Sequence, residues 1–149
     1  IILFSPLLVM LWSALRRRGR EPSTVSKITL GMMLTAVTFG IMTAAGLAGG
    51  DTGRVSVAWL VSAYLVIALA EISLSPMGLS LVAKVAPARH RSTMMGAWFV
   101  ATAIGGFSAG LIGQYWNMMA HSRFFFLLVV LCLVAIVLMT LAKPKFPAR

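Results

Sequence analysis

Five apolar runs joined by short polar links make up this chain, at residues 1–15, 28–48, 56–83, 92–116 and 124–142. Inside a bilayer every backbone N–H and C=O must find a partner within the protein, so apolar runs of about 20 residues fold as transmembrane helices. The first run, at about 1.5 Å per residue, spans only about 22 Å of a hydrocarbon core about 30 Å thick. It reads as the end of a helix whose beginning precedes Ile1. The fold class that follows is all-α: a polytopic transmembrane helical bundle with one partial and four complete helices.

Composition points the same way. The chain is 60% hydrophobic and 11% charged, whereas a soluble domain has about half its residues apolar and about a quarter charged. The net charge of +10 could suggest nucleic acid, but that reading needs a basic patch on a folded domain. Here the basic residues sit in the links, so no nucleic-acid partner is expected. Their distribution alternates: Arg16, Arg17, Arg18, Arg20 and Lys27 in the first link, Arg54 in the second, Lys84, Arg89 and Arg91 in the third, Arg123 in the fourth, and Lys143, Lys145 and Arg149 in the tail. By the positive-inside rule the first, third and last of these are cytoplasmic. The expectation is a multi-pass protein of the cytoplasmic membrane with a cytoplasmic C-terminus.

Within the third run stands Glu71-Ile-Ser-Leu-Ser-Pro-Met-Gly-Leu-Ser80, which inserts a carboxylate, three hydroxyls, a proline and a glycine into apolar surroundings. A charged side chain at the centre of a membrane helix costs about 2.5–3.5 kcal/mol on insertion scales, and such residues mark ion, proton or substrate pathways. Glu71 is the foremost candidate, because no Lys or Arg lies within an apolar run to neutralise it. Pro76 has no N–H to donate to the carbonyl of Ile72 and its ring pushes that carbonyl away, so a kink or gating hinge is expected at Pro76 and Gly78. The serines have a plainer use, satisfying backbone groups or bonding between helices.

Helical spacing groups Leu60, Tyr64, Ile67, Ala68, Glu71, Ser75 and Gly78 on one stripe of the third run. The fourth run groups Trp98, Thr102, Gly105 and Ala109, and two such faces meeting would make a polar, partly aromatic cavity. Gly106 and Gly110, spaced GxxxG, predict tight packing against a neighbouring helix. The fifth run is almost featureless and reads as a peripheral, lipid-exposed helix. Cys132 is single, and neither His90 nor His121 has a carboxylate or thiol at metal-ligand spacing, so no metal site is expected. Neither histidine lies within an apolar run, so the serines lack a general base and no enzyme is expected. A bundle with one midplane carboxylate beside a proline break suits a transporter.

The series Glu71 to Ser80, then Ala86-Pro87-Ala88-Arg89, then Met94-Met95-Gly96-Ala97-Trp98-Phe99 resembles the C-terminal half of the proton-dependent oligopeptide transporter family of the major facilitator superfamily. Pro6 with Trp12, and Pro22-Ser23 to Lys27 with Gly31, are similar to that family too. The resemblance implies a twelve-helix core, of which this chain holds the end of the eighth helix and the ninth to twelfth. It implies that Glu71 faces the central cavity, binding the peptide amino terminus and taking part in gating. It implies that Trp98 lines the pocket, with Thr102 one turn later. The partners implied are di- and tripeptides, protons, the lipid bilayer and the missing N-terminal half. The driving force would be the proton gradient, with no cofactor. The family's first-helix acidic-aromatic motif, its N-terminal basic and tyrosine residues and its seventh-helix acid are absent with their segments, so the fragment alone is expected to be inactive. The alternatives are a major facilitator carrier of another small solute and a structural membrane subunit that transports nothing.

Overall fold

The computed structural model describes residues 6, 10, 12–14, 17–19, 22–50 and 53–142. Most of the first apolar run therefore lies outside the described residues. Four long helices follow: α1 (Thr24–Gly49), α2 (Val57–Val85), α3 (Arg91–Gly113) and α4 (His121–Ala142). Short 3-10 turns at Ala88–His90 and Gln114–Asn117 flank α3. Each helix, taken with its flanking turns, is long and apolar enough to cross a membrane. The chain is a multi-pass membrane protein.

The helix α1 begins at Thr24, four residues before its apolar run, because Ser23 caps it. The Ser23 Oγ accepts the Ser26 N–H at 3.2 Å, satisfying a donor that the first helical turn leaves free. The far end closes on Gly50, whose φ of 61° allows its N–H to reach the carbonyls of Gly46 and Leu47. A side chain would strain that left-handed conformation, which is why glycine ends the helix. Along α1, Thr29, Thr35, Thr38 and Thr43 each donate to the carbonyl four residues back. The hydroxyls are thereby satisfied without a second helix.

The early start of α1 corrects one reading. Lys27, taken from sequence as the closing charge of a basic link, lies inside the first turn of α1 and is 6% exposed. Its Nζ sits 4.8 Å from the centroid of the Trp12 ring, a cation–π contact that offsets lost hydration. Spacing alone conceals it, since the two residues stand fifteen apart on different segments.

The helix α2 starts from Ser56, whose Oγ accepts the Ala58 N–H at 3.3 Å. It runs unbroken through Pro76 for 29 residues, about 43 Å at 1.5 Å per residue, longer than the hydrocarbon core. It ends at extended Ala86, as a residue before proline prefers. Lys84, in the last turn, complements the negative end of the helix dipole and donates from Nζ to Thr24 Oγ1 at 3.4 Å. The end of α2 is thus tied to the start of α1.

Small residues bring α1 close to both α2 and α4. A Cβ on Gly31 would lie 2.7 Å from Leu74 Cγ and 3.2 Å from the Ala70 carbonyl oxygen, and one on Gly46 would lie 3.0 Å from the backbone of Ser122. Ala63, Ala70 and Ser73 of α2 are buried, and Ser73 Oγ donates to the Leu69 carbonyl at 2.9 Å. The last helix, expected to be peripheral and lipid-exposed, packs along α1 on one side, with Phe124 and Ile136 buried. A helix apolar all round loses nothing by meeting either lipid or protein. Its other sides, including Leu131, Val134 and Leu138, remain exposed.

The GxxxG expectation also needs correction. No residue of α3 is buried, and Cβ atoms built on Gly96, Gly105, Gly106 and Gly110 would meet nothing within 4 Å among the described residues. The helix joins the bundle through α2, and its small face meets open space.

These contacts separate two glycines of α1. Gly31→Ala drives a methyl into Leu74 and is expected to destabilise the protein by about 1–3 kcal/mol, the usual effect of overpacking. Gly40, with nothing within 4 Å of its Cβ position, is expected to tolerate alanine or gain up to about 1 kcal/mol from helix propensity. Thermal unfolding of both variants in detergent distinguishes them.

Candidate functional site

The α2 stripe survives as an exposed face. Ala63, Ala70 and Ser73 turn inward, which leaves Tyr64, Glu71 and Ser75 on the outward side. Tyr64, Glu71 and Gly78 recur every seven residues, close to two turns, so they stand about 10 Å apart along one side of the helix. Tyr64 is 67% exposed. No side-chain hydrogen bond or ion pair reaches Tyr64, Glu71 or Ser75 among the described residues. That separates Ser75 from Ser73, whose hydroxyl is buried and already bonded to its own helix. The arithmetic of helix faces distinguishes them too, because Ser73 falls with Ala70 and Ser75 with Glu71.

Across from this face stands Trp98 of α3. A Cβ on Gly78 would lie 2.6 Å from Trp98 Cζ2 and 3.3 Å from its Cζ3, so the outer edge of the indole rests on the backbone of α2. Gly78 is buried by this contact while Ser75 and Pro76, less than one turn earlier, are exposed. Thr102 follows Trp98 by one turn and is exposed, its Oγ1 donating to the Trp98 carbonyl at 2.9 Å. The donor is committed to the helix, but the oxygen keeps acceptor capacity. The structure therefore brings Gly78 and Trp98 into contact and sets Ser75 less than a turn away. Tyr64, Glu71 and Thr102 lie on the open faces of the same two helices.

Chemically this face offers one carboxylate, a phenol, two hydroxyl oxygens and an indole edge. It suits a ligand with a cationic nitrogen and an apolar or aromatic body. Among the described residues no group of three His, Cys, Asp or Glu side chains could hold a metal ion. A separate pocket of about 190 Å³ opens between the end of α1, the loop before α2 and the start of α4, and holds none of these residues. Its wall includes Trp116, stacked on His121 with centroids 4.3 Å apart. Near a helix end, Trp116 also suits the aromatic belt of a membrane interface, and nothing in the spacing signals its stack on His121.

Similarity to known proteins extends over nearly the whole chain. A di-/tripeptide transporter of Lactococcus lactis is 37% identical over 145 residues, covering 97% of this chain and 29% of that protein. Dipeptide and tripeptide permease A of Escherichia coli is 31% identical over 156 residues, covering 97% of this chain and 31% of its own length. The crystal structure of a POT family transporter in complex with a thioalcohol-conjugated peptide superposes with a TM-score of 0.85 at 26% identity, again over 97% of this chain and 29% of that one. The chain thus spans about three-tenths of the length of these relatives. The family model for POT family transporters matches residues 1–140, and the chain belongs to that family.

Proposed function

We propose that this chain is the C-terminal part of a proton-coupled symporter of di- and tripeptides, and that the face shared by α2 and α3 is one wall of its substrate cavity. The observation that carries this reading is Glu71, an exposed carboxylate with no partner among the described residues, midway along an apolar helix. A carboxylate so placed is tolerable in a membrane only where a cavity, a proton or a cationic ligand meets it. A peptide's amino terminus is such a ligand. A carboxylate can take either a proton or an ammonium, so proton and substrate would share one group.

The neighbouring residues take roles from their chemistry. Trp98 bounds the space for substrate side chains, Ser75 and Tyr64 offer hydrogen bonds along the same face, and Thr102 offers an acceptor oxygen. Pro76 weakens the helix next to the carboxylate, which suits a gate that bends as the site changes exposure. The driving force is the proton gradient, without a cofactor. The open small face of α3 at Gly106 and Gly110 suits helices of the rest of the transporter, without which this part does not transport. The alternating basic links support a cytoplasmic C-terminus in the cytoplasmic membrane. A major facilitator carrier of another small solute is the second reading, favoured by the similarity to a POT family transporter solved with 5-aminolevulinic acid.

The direct test is proton-driven dipeptide uptake by the complete transporter carrying Glu71→Gln. Loss of a charge-assisted contact is expected to lower uptake by about 10-fold or more. Unchanged uptake at equal membrane abundance would remove Glu71 from the mechanism. Orientation has its own check, in a background where Cys132 is serine. A cysteine at position 54 should react with a membrane-impermeant thiol reagent in intact cells, whereas one at position 89 should react only after permeabilisation. The reverse pattern sinks the assigned topology.

A further inference from the structure

Sequence alone pairs Gly78 with Pro76 as a hinge. The geometry points to a different use: we propose that Gly78 is the seat of Trp98, and that this seat sets how large a substrate side chain fits beside the indole. The proposal rests on the transport reading for its substrate, though not for the contact itself.

Three observations carry it. The α2 helix is unbroken through Pro76 and Gly78, and the positive-φ glycines among the described residues are Gly19 and Gly50. Gly78 therefore uses no backbone freedom that other residues lack. Gly78 is buried, in a stripe whose other polar-face members Tyr64, Glu71 and Ser75 are exposed. What covers it is the edge of Trp98, with Cζ2 at 2.6 Å and Cζ3 at 3.3 Å from the position of the absent Cβ. A methyl group at position 78 cannot coexist with the ring where it stands.

The consequence of adding that methyl is specific. The obstructing atoms are the far end of a long side chain rather than backbone, so the indole swings aside while the helices stay in place. The swung ring takes volume from the space between α2 and α3. Substrates with large side chains lose that volume first, and small ones lose less. Gly78 thus acts through Trp98, as a positioning residue for substrate selection by size. Pocket changes of one or two methylene groups discriminate substrates by about 10- to 200-fold, so even one methyl is measurable.

The experiment uses the complete transporter with Gly78→Ala, Trp98→Leu and the double variant. KM and kcat are measured for dialanine and for alanyl-phenylalanine. Gly78→Ala is expected to raise KM for alanyl-phenylalanine relative to dialanine by about five-fold or more, while the kcat ratio stays level. With Trp98→Leu in place, Gly78→Ala is expected to leave the KM ratio unaltered, because no ring remains to displace. A uniform fall in kcat for both peptides that persists beside Trp98→Leu would identify a hinge and overturn the proposal.

A second measurement does not depend on transport. In the complete transporter labelled with 5-fluorotryptophan, the resonance lost in Trp98→Leu belongs to Trp98, and Gly78→Ala is expected to shift it while the remaining resonances stay. A Trp98 resonance that does not move overturns the seat. If the complete protein takes up no dipeptide at all, the transport reading and the selection by size fall, and the fluorine shift still decides the contact.

Discussion

Surrounded by lipid, helices gain little from burying apolar surface against one another, because hydrocarbon tails are as apolar as leucine. What holds them is close contact, and in this bundle α1 supplies it on two sides at once. Gly31 admits Leu74 and the backbone at Ala70, while Gly46 admits the backbone of Ser122. The hydroxyls of Thr29, Thr35, Thr38 and Thr43 are satisfied within the turns of α1 itself, and Lys84 of α2 donates to Thr24 at one end, so close packing is left to carry the middle of α1. The seating of α2 on α1 then decides everything about the site. Turning Ala63, Ala70 and Ser73 inward leaves no choice about where Tyr64, Glu71 and Ser75 point, since side chains three, four and seven apart share one side of a helix.

Much of this was legible in the residues themselves. Apolar runs of membrane length fixed the number and order of the helices, because a lipid-exposed backbone has no other way to satisfy its hydrogen bonds. Helical arithmetic separated the Glu71 side of α2 from the Ala70 side. Harder to read were contacts between segments distant in sequence. Lys27 over Trp12, Lys84 against Thr24, Trp98 on Gly78 and Trp116 on His121 all depend on how helices are placed beside one another, which local pattern does not specify. The helix ends moved for a simpler reason. Capping serines such as Ser23 lie before the apolar run, so the hydrogen-bonded helix starts earlier than the hydrophobicity does.

The glycines of α3 show how much a spacing motif states. Gly106 and Gly110 have the spacing of a packed interface, yet among the described residues nothing lies within 4 Å of their Cβ positions. A spacing motif states that a close neighbour is permitted, not that this chain provides it. The POT family relatives are more than three times as long as the matched segment, and under the proposed transport reading the bare face of α3 suits further helices.

The fastening of the bundle is uneven along its length. The start of α1 is tied to the end of α2 through Thr24 and Lys84, and the other end of α1 is locked to α4 at Gly46 and Ser122. These three helices are cross-braced. By contrast α3 follows α2 through the turn at Ala88–His90 and touches it near that end through Trp98, with no buried residue along its length. Its other end passes into the turn at Gln114–Asn117, where Trp116 stacks on His121 at the start of α4. Held at both ends and without a buried residue between them, α3 spans the braced helices as a strut, and one of its two footings, the indole on Gly78, stands two turns along α2 from Glu71.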